Sequence, residues 1–393
     1  MPATTAYLVA GKRSPIGKYQ GTLSKLSAME LGAQVAKALI AEAKVDPAAI
    51  NEVFVGQVLQ GGCGQNPARQ VALGAGLPPT ISCVTVNKVC GSGLQAVMFA
   101  DQVIRAGDAD VVLAGGIESM TQAPFVIRTL RGGNKFGHTE CVDMMLYDGL
   151  TNVYSNELMG ELAEYTAEKA GISRQEQDEW SVRSQKLAAK ASQEGRFKAE
   201  IAPIMVPKAK EPFAVDETFR ADTTLESLAG LKPAFKKDGT VTAGNASQLS
   251  DGAALLLVAS EAGLKKCGGK PLARIVAHAT AGAAPRDLFF TPPKAAMMVC
   301  EKAGWKRDQV DLWELNEAFA SQTIAGMREL GLTADSPVNV HGGAIALGHP
   351  IGASGARVLV TLLHGLKQRG GKRGVTAVCL GGGNAVAMGI EAL

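Results

Sequence analysis

The second half of this chain repeats the first. Residues 44–56 (KVDPAAINEVFVG) lie over residues 304–316 (GWKRDQVDLWELN) at an offset of 260. Residues 91–97 (GSGLQAV) lie over 353–359 (ASGARVL) at an offset of 262, and DVVLAGG at 110–116 then falls over TAVCLGGG at 376–383. Several matches in chain order at nearly one offset indicate a duplicated unit. Each copy must then build the same order of elements.

The first copy alternates strands and helices. AYLVAG, NEVFVGQVL, CVTVNKV and ADVVLAGG read as strands; SAMELGAQVAKALIAEAKV, PARQVALGAG and GLQAVMFADQVIRAG carry apolar residues at helical spacing. This alternation predicts an α/β fold, a parallel or mixed sheet with helices on both faces. The pattern breaks near residue 120. Residues 121–250 bring polar loops, Pro203, Pro207, Pro212, Pro233 and a charged helix (SRQEQDEWSVRSQKLAAKASQEG), which reads as an insertion or lid outside the sheet. AALLLVAS at 253–260 resumes a buried strand, and PLARIVAHATAG at 271–282 opens the second copy. The expected divisions are residues 1–120 with 251–270, the insertion 121–250, and residues 271–393.

Composition removes several functions. A net charge of +3 with 20% charged residues, and no basic run with interleaved aromatics, gives no support to nucleic-acid binding. The N-terminus lacks the basic start and apolar core of a signal peptide, and no segment nears the roughly 18 apolar residues of a membrane span. IEAL at the C-terminus is not a peroxisomal address, so a cytoplasmic location is expected. Seven irregularly spaced cysteines without Cys-x-x-Cys argue against a disulfide framework, and the five histidines lack zinc-ligand spacing, so no metal is expected. No G-x-G-x-x-G follows the first strand and no phosphate loop occurs.

Three stretches remain that can carry chemistry. In VNKVCGSGLQAV, Cys90 follows a strand and precedes a glycine-opened helix, whose N–H groups and positive dipole end favour a thiolate. A lone buried cysteine is otherwise an inert apolar filler. In HGGAIALGHPIGASGARVL, His349 stands in a loop entering a helix, placed to take a proton from a thiol; His341 is a weaker candidate. Protonation of such a base would lower activity at low pH. In AVCLGGGNAVAMG, Cys379 ends a buried strand before three glycines, whose N–H groups can hold an oxyanion. Asn316, in ELNEAFA, is either a helix N-cap or a polar group holding a water against a carbonyl oxygen. By the repeat, Cys90, Asn316 and Cys379 all fall at strand ends, where ligands collect in open α/β sheets.

VNKVCGSGLQAV, GTVTAGNASQLSDGAA, NEAFA, GHPIGASGAR and CLGGGNAVAMGIE, in this order and spanning essentially the whole chain, resemble the thiolases. The resemblance implies two βαβαβαββ halves in a five-layered αβαβα arrangement, with a loop domain inserted in the first. It implies Cys90 as the nucleophile that becomes an acyl-thioester, His349 as its base, and Cys379 as the acid/base at the α-carbon of a second acyl-CoA. Asn316 would hold a water in one oxyanion hole; the N–H groups of Cys90 and Gly381 would form the other. Ser247 and Ala243 would lie along the pantetheine arm of coenzyme A, lined by Met159, Ala318 and Phe319, with Arg220, Leu231 and Phe235 towards the adenine end.

The implied activity is the condensation of two acetyl-CoA to acetoacetyl-CoA and its reverse, with CoA thioesters as substrates, no cofactor, and a homotetramer or dimer as the working form. Three positions depart from the family pattern. Leu158 stands where biosynthetic members carry a histidine, His341 where asparagine is common, and Gln248 where glycine is common. Leu158 points to the alternative of a degradative 3-ketoacyl-CoA thiolase for longer chains. A decarboxylating condensing enzyme would use other partners than Cys379, and a catalytically silent CoA- or lipid-binding protein would keep the fold alone.

Overall fold

A computed structural model describes residues 4–267 and 270–393. The first half contains β1 (Tyr7–Arg13), α1 (Ala28–Ala43), β2 (Glu52–Gly56), α2 (Pro67–Gly74), β3 (Ser82–Val86), α3 (Ser92–Ala106) and β4 (Val111–Ser119). The intervening segment contributes α4 (Met159–Ala170) and α5 (Arg174–Gln193), after which β5 (Ser250–Ala259) returns to the sheet. The second half contains β6 (Ala273–Gly282), α6 (Thr291–Ala303), β7 (Leu312–Leu315), α7 (Ala320–Leu330), α8 (Ile351–Arg369), β8 (Arg373–Leu380) and β9 (Asn384–Ala392). Local signals set several of these ends. Ser27 and Glu30 form a capping box at the start of α1, as Ser173 and Glu176 do for α5.

In space the strands run β3-β2-β4-β5-β1 in the first half and β7-β8-β9-β6 in the second, the same order twice. β1 and β6 join the halves through two residue pairs, Tyr7↔Arg274 and Leu8↔Ala273. The second copy's third strand shrinks to one bridge, Trp313↔Val338. Asn339 explains the loss: its side-chain amide accepts from Leu315 N–H and donates to Leu315 C=O, both at 2.8 Å, satisfying the groups a ladder would have paired.

Three apolar clusters show the layering. One lies between α1, α2 and the first sheet; one surrounds α3 and α8 in the middle; one lies between the second sheet and the outer helices α6 and α7. The order is therefore helix, sheet, helix, sheet, helix. α8 is buried on every face from Ile351 to Leu366, as a helix between two sheets must be. Its start touches the start of α3 without intervening side chains. A Cβ on Gly93 would come within 2.9 Å of Ala356 N, and one on Gly355 within 2.7 Å of Leu94 N. Glycine at both positions lets the two helix N-termini, and the loops that lead into them, meet.

Candidate active site

Cys90 precedes α3 and His349 precedes α8, so the helix contact just described brings them to one place. Both line a mainly apolar cavity, together with Cys379 and Gly381. Its apolar walls include Met120, Leu158, Leu249, Leu288, Phe289 and Ile351.

The turn that presents Cys90 is tightly held. Val89 has φ +47°, a left-handed conformation that a β-branched residue adopts only under constraint. Ser92 supplies it: its hydroxyl accepts Lys88 N–H at 2.8 Å and donates to Val89 C=O at 2.6 Å, while Asn87 accepts Val89 N–H at 3.0 Å. A Cβ on Gly381 would crowd the Val89 side chain at 3.2 Å, so glycine there lets the loop come close to the thiol.

Cys90 is half-buried and lines the cavity. Desolvation and, to a lesser degree, the charge of Glu118 push its thiol up to about 12, opposed by the N–H groups of Cys90 itself and of Gly381. The helix start therefore does favour the thiolate, as its sequence suggests, but burial outweighs it. Cys379 is fully enclosed, and burial together with the nearby Cys90 holds its thiol well above the usual range. Burial and the Arg357 charge push His349 down to about 3. The expected loss of activity through His349 protonation is thus moved out of the ordinary histidine range.

Ser354 Oγ lies 2.6 Å from His349 Nδ1 and 2.9 Å from Pro350 C=O, so it orients the ring from the Nδ1 side. Nε2 is buried without a protein partner on the other side. The histidine's backbone N–H donates to Gln248 C=O at 3.0 Å, and the Gln248 side chain donates to Thr218 C=O at 2.9 Å. Gln248 thereby ties the His349 loop to the inserted segment.

Asn316 follows β7, and its N–H pairs with Ala377 C=O at 3.0 Å. It caps no helix, since α7 begins at Ala320 with Phe319 as N-cap. Both polar atoms of its side chain are buried without a protein partner, and it does not line the cavity surface itself. Of the expected coenzyme contacts, Ser247, Met159, Ala318, Phe319 and Phe235 line the cavity. Ser247 N–H donates to Ala318 C=O at 3.0 Å, which joins two of these walls. Ala243, Arg220 and Leu231 lie outside the lining and are exposed, with Leu231 packed near Gly244 beside Ala243. His341 is elsewhere, edge-on to Phe197 at 6.0 Å.

The sequence reading overlooked Ser354, whose hydroxyl looked like part of a small-residue run, and Glu118. The latter had a visible signal, an acid ending the apolar run VVLAGGI. Among the described residues no three His, Cys, Asp or Glu side chains cluster as metal ligands, and no helix is long and apolar enough to cross a membrane.

Comparison with known proteins agrees over the full length. The thiolase N-terminal domain matches residues 6–262 and the thiolase C-terminal domain residues 269–392. An acetyl-CoA acetyltransferase of Pseudomonas aeruginosa is 51% identical over 384 residues, 97% of this chain and 98% of that protein. The crystal structure of the Bacillus anthracis acetyl-CoA acetyltransferase superposes with a TM-score of 0.96 at 42% identity, covering 100% of this chain and 99% of the other. Human mitochondrial 3-ketoacyl-CoA thiolase gives the same TM-score and identity, with 99% of each chain covered. With both halves, the order of strands and half the residues of a full-length relative in common, the chain belongs to the thiolase family.

Proposed function

We propose that this protein is an acetyl-CoA C-acetyltransferase, which joins two acetyl-CoA into acetoacetyl-CoA with release of CoA and also runs the reverse thiolysis. The observation that carries the mechanism is the convergence of Cys90, His349, Cys379 and Gly381 on one apolar cavity. In the resting site burial keeps both thiols and the imidazole neutral. Cys90 passes its proton to His349 Nε2 as its sulfur attacks the thioester carbonyl, and CoA leaves as the thiol, taking the proton of Cys379. Cys379, now a thiolate, removes an α-proton from the next acetyl-CoA and is a thiol again. The new carbanion attacks the acetyl-Cys90 carbonyl, and Cys90 departs, recovering its proton from His349. The N–H groups of Cys90 and Gly381 are suited to hold one carbonyl oxygen as it gains charge, and Asn316 to hold a water against the other.

Splitting the condensation this way turns one hard carbon–carbon bond formation into two easier steps. Coenzyme A would enter along Ser247, Met159, Ala318 and Phe319, and no cofactor is needed. The seven free cysteines fit a cytoplasmic setting. The exposed apolar side chains of Phe125, Leu130, Phe136 and Tyr154 fit burial in a homotetramer or dimer.

Purified protein with acetyl-CoA is expected to form acetoacetyl-CoA, and Cys90→Ala none. Cys379→Ala is expected to take up one acetyl group on Cys90 without making the new carbon–carbon bond. Full condensation by Cys90→Ala would overturn the assignment. A second reading, thiolysis of longer 3-ketoacyl-CoA, is favoured by the apolar side chain of Leu158 in the cavity wall. Rates on acetoacetyl-CoA and on a medium-chain 3-ketoacyl-CoA separate the two.

A further inference from the structure

Glu118 transfers no proton in the chemistry above, yet it lies fully buried near the end of β4, close enough for its charge to act on Cys90. Its partners are three backbone N–H groups. Oε2 accepts from Val58 at 3.1 Å and from Gly352 at 2.9 Å; Oε1 accepts from Leu59 at 3.3 Å. Val58 and Leu59 leave β2 of the first half, whereas Gly352 is in the first turn of α8, three residues beyond His349. The carboxylate also faces the positive end of that helix, which favours its charge.

One side chain therefore ties the loop of the proposed base to the half that carries the proposed nucleophile. The segments it holds are also cavity wall. Val58, Leu59, Met120, Met145 and Ile351 form one buried apolar cluster, and Cys90 packs against it. We infer that Glu118 is a positioning residue for acyl transfer, holding His349 and the wall around Cys90 in register through Val58, Leu59 and Gly352. The inference rests on the acyl-Cys90 chemistry proposed above. Burial and the nearby Asp251 push the Glu118 carboxyl up to about 7 against the pull of its three N–H groups, so the acid is retained there at an electrostatic cost. An apolar residue ending an apolar strand would avoid that cost but could not accept the three bonds.

The test is Glu118→Gln, with acetyl-CoA as probe and rates counted per folded molecule. The amide offers one oxygen, so either Leu59 or the Val58–Gly352 pair meets an N–H donor instead of an acceptor. Single-turnover acetylation of Cys90 and kcat should fall on the order of 10²-fold, as misplacement by about an ångström does. KM for acetyl-CoA should stay within about threefold, because the coenzyme contacts lie elsewhere. Glu118→Asp, with charge kept and reach shortened, should fall between Gln and wild type. Wild-type kcat in Glu118→Gln, a raised KM with kcat unchanged, or loss of folding in both variants would each overturn the inference. Wild-type protein that forms no acetyl-Cys90 would instead overturn the proposed function, and this inference with it.

Discussion

At the scale of single residues, burial sets the protonation of the site. Removing water disfavours every charged form, so it raises the two thiols and lowers the imidazole together. The sign for His349 follows directly. Its cation is opposed by desolvation and by Arg357, so its proton is lost already near pH 3 rather than near the ordinary value of about 6.5. His349 is then in its accepting form throughout the neutral and mildly acid range. We predict no acid limb with a midpoint near ~6.5 from this residue in kcat/KM against pH. A profile in which such a limb appears in wild type and disappears in His349→Asn would contradict this. A histidine stretch read from sequence carries its ordinary pKa, because the surroundings that shift it come from α8 and from Arg357 within it.

At the scale of elements, the first turn of α8 does more than start a helix. Its Ser354 holds His349 Nδ1, and its Gly352 N–H is held by Glu118. Ser354→Ala removes the hydrogen-bond partner of Nδ1 and frees the ring to turn. The expected effect is a loss of kcat on the order of 10-fold to 100-fold, the size seen when an outer partner of an active histidine is removed. Steady-state kinetics with a melting curve check it; unchanged kcat would show that the ring is oriented by packing alone. The turn before α3 is the counterpart, with Val89 kept left-handed by Ser92 and Asn87. Helix starts at Ser92 and near Ile351 were legible from glycine and proline placement, but the bonds that aim each loop were not.

At the scale of the whole molecule, the inserted segment is pinned to the sheet by a buried charge cluster. Arg13 of β1 is fully enclosed and forks onto Asp216 at 2.6 and 2.9 Å, with its Nε on Glu200 at 2.6 Å. Its guanidinium also lies over the Phe197 ring at 5.0 Å. Arg13→Met would leave two buried carboxylates without their cation. Truncating one partner of a buried pair costs about 3–5 kcal/mol, so denaturant unfolding should show a loss of that order. A loss under about 1 kcal/mol would mean that water or other groups compensate. This cluster joins residues about 200 apart in sequence, and nothing near Arg13 announces it.

The sequence by itself determined the repeated order of strands and helices, since apolar period and helix-start residues are local signals that each copy carries twice. It also singled out Cys90, His349 and Cys379, because thiols and imidazole beside glycine-rich helix starts and strand ends are local too. The tertiary structure alone decided that α3 and α8 meet at their N-termini, through Gly93 and Gly355, so that the loops they begin share one cavity. It alone replaced the second copy's third strand with the Asn339 amide and put Glu118 beneath the site. Only there could the resting protonation be decided, because desolvation depends on what packs around a group, and these groups are enclosed by residues of both halves.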